Sequence, residues 1–310
     1  MRTDIAVVTG VRGFIGGHVA RELAARGLRV VGTDLAVADA VPPVSEYLTA
    51  ERLLRSTMAP SVVVHMGANA NTMDHNRDRM MAMNYEYSKE LAAWASVRGA
   101  RLVYASSAAV YGLGEHGFVE DVSEQQLRPL NVYGESKLEF DRWMTNIAGP
   151  KASWMGLRFF NVFGSGEDHK GRMASMVSQI MKQVEELGRV RLFKSYDANY
   201  ADGEQRRDYV YVRDVANVVV WAALELAGSG VINVGSGVST TFNGIVRAVC
   251  RALGRDAAVE YIDMPEGLRS RYQYDTRASL TKLRRLGYES PFADLDAAVR
   301  EFVSETRSQG

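Results

Sequence analysis

The chain has 310 residues, 46% of them hydrophobic and 24% charged, which is the composition of a folded globular protein rather than a disordered one. Its 37 basic and 37 acidic side chains cancel, so there is no global positive field for nucleic acid or an anionic membrane. The single cysteine, Cys250, excludes an internal disulfide and any multi-cysteine metal centre.

In chain order, Asp4 interrupts any leader-like apolar core, and no run approaches 18 apolar residues, which points to a cytoplasmic protein. Short apolar runs at 5–9, 28–33, 61–65, 101–106 and 153–159 read as buried strands. Amphipathic stretches at 14–26, 80–98 and 132–147 read as the helices between them. This alternation predicts an α/β fold with a Rossmann-type doubly wound parallel sheet. Beyond residue 163 the rhythm loosens, with helices expected at 171–187, 242–253, 276–286 and 292–304 and a strand at 209–212 running into a helix that ends at 227. We expect an NAD(P)-binding domain over 1–163, with 205–228 returning to it. Residues 164–204 and 229–310 are then a smaller mixed substrate lobe. Cys250 falls in a helical pattern as a small buried thiol, and Met80, Met81 and Met83 read as packing residues.

The first strand runs into Thr9-Gly10-Val11-Arg12-Gly13-Phe14-Ile15-Gly16. Glycines at 10, 13 and 16 permit a tight turn, close backbone approach to a pyrophosphate and close packing of the next helix, whose N-terminus offers free N–H groups. Asp34 ends the second strand about 20 residues on, where a ribose ligand belongs, with Leu35 beside it. Asp34 and the lack of Lys or Arg over 35–51 favour a free 2′-hydroxyl, whereas Arg12 inside the turn is suited to a 2′-phosphate. The expected cofactor is therefore NAD(P), one per subunit, with NAD and NADP both open.

Tyr133 and Lys137 stand four apart and share one helix face. A phenol, with an ordinary pKa near ~10, is a poor base at neutrality. A neighbouring ammonium, with the positive nicotinamide, favours the phenolate, which then takes a hydroxyl proton as hydride leaves for the nicotinamide. The five histidines, at 18, 65, 75, 116 and 169, have no metal-ligand spacing, and no metal is expected.

Upstream lies Leu102-Val103-Tyr104-Ala105-Ser106-Ser107-Ala108-Ala109-Val110-Tyr111-Gly112, a strand ending in hydroxyls. With the glycine turn and the Tyr-Lys pair, it resembles the extended short-chain dehydrogenase/reductase superfamily of nucleotide-sugar enzymes. The resemblance implies a triad of Ser107, Tyr133 and Lys137. It also implies cofactor contacts from Gly10, Arg12, Gly13, Phe14, Ile15, Gly16, Asp34, Leu35, Met66, Gly67, Ala68, Asn84, Tyr133, Lys137 and Val162.

Phe160-Asn161-Val162-Phe163-Gly164, His169-Lys170-Gly171-Arg172-Met173-Ala174-Ser175 and Arg207-Asp208-Tyr209-Val210-Tyr211-Val212 narrow the match. Together with the segments beginning at Asn84 and Arg271 they resemble the ADP-glyceromanno-heptose 6-epimerase family. What this implies is inversion at carbon 6 of an ADP-linked heptose, with Tyr133 and Lys170 as the two acid/base groups. Substrate contacts implied by the resemblance are Ser107, Asn161, Lys170, Arg172, Gln179, Phe193, Arg207 and Tyr272, and the assembly implied is a homo-oligomer. The chain departs from the family pattern at Asn69-Ala70-Asn71, at Arg172, at Gln179 and in a longer 194–205 segment. A nucleotide-sugar 4-epimerase uses the same triad and is the rival reading. A non-catalytic NAD(P)-sensing regulator would have no need of the triad, and Ala108-Ala109 replaces the acidic pair that a 4,6-dehydratase needs.

Overall fold

A computed structural model describes residues 4–35, 43–147 and 153–309. Lys151 and most of the gap between Leu35 and Val44 lie outside them. The first strand, β1 (Ile5–Thr9), shows why the sheet is buried on both faces. Ala6 and Val8 point into one helical layer and Val7 into the other. A strand covered twice needs apolar residues at every position, so its sequence is a continuous run rather than an alternation.

The chain continues through α1 (Phe14–Ala25), β2 (Arg29–Thr33), β3 (Val44–Leu48), α2 (Ala50–Arg55), β4 (Val62–His65), α3 (Arg77–Met81) and α4 (Tyr87–Val97). Next come β5 (Arg101–Ser107), α5 (Val132–Ile147), β6 (Trp154–Phe159), β7 (Asn161–Phe163), α6 (Met176–Leu187), β8 (Arg189–Phe193) and β9 (Arg206–Tyr211). The last part supplies α7 (Val212–Leu224), β10 (Gly230–Val234), β11 (Ser239–Thr241), α8 (Phe242–Leu253), β12 (Ala258–Ile262), α9 (Glu266–Arg269), α10 (Thr281–Arg285) and α11 (Leu295–Gln309).

The large sheet has the order β10-β6-β5-β4-β1-β2-β3, with every pair parallel. Helices α1 and α7 cover one face, and α4 and α5 the other. The chain winds outward from β1 through β3 and then crosses to β4, so the loops after β1 and β4 meet where the order reverses. Doubly wound sheets take their ligands at that crevice. A second core joins α6, α8, α11, β8 and β9, and Phe14 from the start of α1 reaches into it.

Four boundaries differ from the sequence reading. Gly230–Val234, expected in the second lobe with the rest of 229–310, pairs with β6 as an outer strand of the large sheet. Of 205–228, α7 packs on that sheet, while β9 lies between β7 and β11 in a separate three-stranded one. The helix expected from 171 begins at Met176, because Ser175 accepts the Ser178 N–H as its cap and Gly171 takes φ +52°. The helix expected over 276–286 shrinks to Thr281–Arg285. Cys250 lies on α8 but is only half-buried. Among the described residues no helix is long and apolar enough to cross a membrane.

Candidate active site

The glycine turn fits a pyrophosphate cradle on steric grounds. Gly10 takes φ +64°, and a Cβ there would lie 2.6 Å from the Gly67 Cα. At Gly16 a Cβ would meet the Gly10 carbonyl oxygen at 2.1 Å, so backbone packs on backbone and leaves the helix N-terminus open. Asp34 at the end of β2 accepts the Arg12 N–H at 3.0 Å and its neighbour Leu35 N–H at 2.8 Å, which fixes the carboxylate beside the cradle. The Arg12 and Leu35 side chains are exposed.

The turn after β4 is held from below. Thr9 accepts the Gly67 N–H through Oγ1 at 3.0 Å and lies 2.6 Å from Nδ1 of the buried His65. His65 Nε2 is 2.8 Å from Ser88 Oγ, and that hydroxyl donates to the Asn84 carbonyl. Burial, reinforced by Lys137, pushes the His65 pKa down to about 3, so the ring is a neutral connector. Asn84 sits in a π-helical turn, Ala82–Glu86, that interrupts the helix expected over 80–98. Its Oδ1 accepts the Asn69 N–H at 2.8 Å, and its Nδ2 donates to the Asn69 carbonyl and to Ser136. Asn84 thus brackets the 66–69 turn against α5.

These loops open onto a cavity of about 640 Å³. Ser107 enters it from the end of β5, and Tyr133 and Lys137 from α5. Tyr133 and Ser107 line the cavity together. Burial pushes the phenol pKa up, and the Ser107 hydroxyl pulls part of that back. Lys137 donates to the Ala105 carbonyl at 2.9 Å. Burial takes its amine down to about 8, with Asp141 one turn along α5 acting in the opposite sense. In the protein by itself, then, burial is the larger influence on Tyr133.

Lys170 reaches the same cavity from the 164–175 loop, with its Nζ 5.0 Å from the centre of the Phe14 ring and 3.8 Å from Glu167. Burial lowers its pKa while Glu167 raises it. At the far end, the Arg207 guanidinium lies 5.1 Å from the Tyr272 ring centre and 5.7 Å from that of Phe242. Asn161 donates through Nδ2 to the Asp208 carbonyl, and Gln179 donates to the carbonyls of Arg172 and Ala174.

Of the residues expected from sequence, Phe14, Ile15, Met66, Ala68, Ser107, Tyr133, Lys137, Asn161, Val162, Lys170, Gln179, Phe193, Arg207 and Tyr272 all line this cavity. Gly10, Gly13, Gly16 and Gly67 form the turns behind it. Asn84 stands behind the wall and Arg172 is exposed beside it; neither is among its lining residues. Met173, Met176, Gln183, Arg191, Phe242 and Ile262 line it without having been expected. They come from α6, its preceding turn, β8, α8 and β12, where sequence periodicity shows a buried face but not what that face meets. Thr9 and His65 carried one usable signal, as polar residues closing buried strands.

A model of the NAD dependent epimerase/dehydratase family matches residues 6–235. An ADP-L-glycero-D-manno-heptose-6-epimerase from Nitratidesulfovibrio vulgaris is 38% identical over 313 residues, covering 96% of this chain and 97% of the relative. Another so named, from Fusobacterium nucleatum, is 42% identical over 250 residues, 78% of this chain and 75% of its own. The crystal structure of the Helicobacter pylori ADP-L-glycero-D-manno-heptose-6-epimerase superposes with a TM-score of 0.84 at 27% identity, covering 99% of this chain and 97% of that one. The glycine cradle, the Ser-Tyr-Lys cluster and these likenesses agree: the chain belongs to the NAD dependent epimerase/dehydratase family and, within it, to the ADP-L-glycero-D-manno-heptose-6-epimerases.

Proposed function

We propose that the protein inverts carbon 6 of an ADP-linked manno-heptose through a transient ketone on the sugar. The observation that carries this reading is that two proton-carrying side chains from separate elements, Tyr133 on α5 and Lys170 on the 164–175 loop, line one cavity. Inversion returns hydride to the face opposite the one it left, so the hydroxyl proton has two geometries to serve, and a second acid/base group answers that need. The 10–16 turn, Asp34, the 66–68 turn, Lys137 and Val162 would hold the nicotinamide cofactor. When bound, that cofactor takes up hydride from the sugar carbon and gives it back, with no net redox change.

Tyr133, beside Ser107, takes or returns the hydroxyl proton in one orientation, and Lys170 does so in the other. Lys137 adds positive charge that favours the phenolate. Arg207, steadied over Tyr272 and Phe242, meets the diphosphate with its forked donors, with Asn161, Gln179 and Phe193 along the sugar nucleotide. The parts of 164–204 and 229–310 around α6, α8 and β12 act as the substrate lobe, and the working form is a homo-oligomer. Incubation with ADP-D-glycero-D-manno-heptose, followed by NMR, tests the reading. Accumulation of the 6-epimer supports it, whereas the 4-epimer or an unchanged spectrum with cofactor bound overturns it.

A further inference from the structure

Lys170 rides on a loop whose shape is set by one buried acid. Glu167 is wholly buried, and its carboxylate accepts the Gly164 N–H at 3.2 Å, the Ser175 N–H at 2.6 Å and the Ser175 hydroxyl at 2.7 Å. Those partners are the two ends of the 164–175 loop. Between them, the Lys170 N–H donates to the Glu167 carbonyl at 3.0 Å, and Gly171 at φ +52° turns the chain back. The ammonium of Lys170 is the ion-pair partner of this carboxylate, at 3.8 Å, and lies over the Phe14 ring. Neighbouring Asp168 pairs instead with Lys182 at 3.2 Å and is exposed. The other titratable or charged side chains lining the cavity are Tyr133, Lys137, Arg191, Arg207, Tyr209 and Tyr272; none is an anion at neutral pH, so among the described residues Glu167 is the one negative group facing Lys170.

We infer that Glu167 is the positioning residue of Lys170. One carboxylate closes the loop on itself and, with the charge left over, holds the amine at the cavity wall and keeps its proton on. The role in turnover rests on the epimerase reading given above; the role toward the amine does not. A carboxylate beside a half-buried amine supports the charged form of that amine, and an opposite charge at this distance moves a titration by about one to three pH units. Removing it lets burial dominate at Lys170, which then loses its proton at lower pH.

The chain's seven lysines make a direct test practical. Reductive ¹³C-methylation labels the amines, and Lys170→Arg identifies the Lys170 resonance by its loss. In the full-length protein, Glu167→Gln is expected to move the Lys170 titration down by about one to three pH units and leave those of Lys89 and Lys282 in place. Glu167→Asp, with the charge kept but withdrawn by one methylene, is expected to give an intermediate shift and serves if the glutamine variant does not fold. An unmoved Lys170 titration in whichever variant folds overturns the inference. Turnover supplies the second arm: kcat falls at least about tenfold in Glu167→Gln, the pH profile moves in the same sense, and KM for the nucleotide-sugar changes little. A moved titration in a protein whose native form converts no ADP-heptose retains the Glu167–Lys170 assignment and removes the epimerase reading alone. Loss of kcat with an unmoved pH profile would mark Glu167 as a fold staple only.

Discussion

Lys137 lies under Tyr133 rather than against its hydroxyl: the ammonium is 5.9 Å from the ring centre and donates to the Ala105 carbonyl on the adjoining strand. The lysine is therefore anchored by the sheet, and any effect on the phenol is one of charge across space rather than of a shared hydrogen bond. Burial pushes the Tyr133 pKa up and brings that of Lys137 down to about 8, so the cation is present below about 8 and fades above it. Removing it takes a stabilising charge away from the phenolate and raises the phenol pKa further. In Lys137→Met at saturating cofactor, the acid limb of the pH–kcat profile should move to higher pH. A limb in its original place would detach Lys137 from Tyr133.

Tyr133→Phe keeps the ring and removes the hydroxyl proposed to carry the proton. Turnover should drop about 10²–10⁴-fold, while cofactor affinity, read by fluorescence titration, stays near that of the native protein. Substantial residual epimerisation would exclude Tyr133 from the proton transfer.

The cradle makes a steric prediction. In Gly16→Ala the new methyl group would meet the Gly10 carbonyl oxygen at 2.1 Å and its carbon at 2.8 Å, both backbone atoms without freedom to swing away. Overpacking of this kind costs about 1–3 kcal/mol, and the turn must open to relieve it. A lower melting temperature together with lost cofactor binding is expected. A variant that binds cofactor normally would show that the turn is not the phosphate site.

Asn84 is buried and spans the Asn69 backbone and Ser136. Asn84→Ala strands those partners, at a cost of about 1–3 kcal/mol, and releases the 66–69 turn. Cofactor Kd should rise, whereas kcat measured at saturating cofactor should change little. The reverse pattern, an unaltered Kd with a collapsed kcat, would place Asn84 in the chemistry instead.

Arg207 is presented on two aromatic faces, which suits a planar guanidinium and not a compact ammonium. Arg207→Lys keeps the charge and loses the fork. KM for the nucleotide-sugar and the inhibition constant for ADP should both rise about tenfold, near 1.4 kcal/mol, with kcat largely retained. Equal values in the two proteins would remove Arg207 from diphosphate binding.

Residues near in sequence carried most of what could be read without coordinates. A continuous apolar core strand, a glycine turn at its end, an acid closing the next strand and a Tyr-Lys pair one helical turn apart are local patterns, and each is found again in the folded chain. β1 and α5 occupy the residues expected for them, because a buried run and an amphipathic stripe each have one economical conformation. Long-range pairing decided the rest. Gly230–Val234 is a short apolar run like many others, and only the open edge of Trp154–Phe159 makes it part of the large sheet. The start of α6 depended on which of several polar residues caps it, a choice made once Ser175 is held by Glu167. Tertiary structure also decided how strongly burial weighs on Tyr133 and Lys137, since spacing reports that a lysine is near but not how much water both groups have lost. The sequence by itself determined the sheet, the cradle and the Tyr133–Lys137 face, all set by local periodicity and backbone sterics. Only the fold decided that Glu167 lies under Lys170, because burial and charge balance are properties of the packed chain.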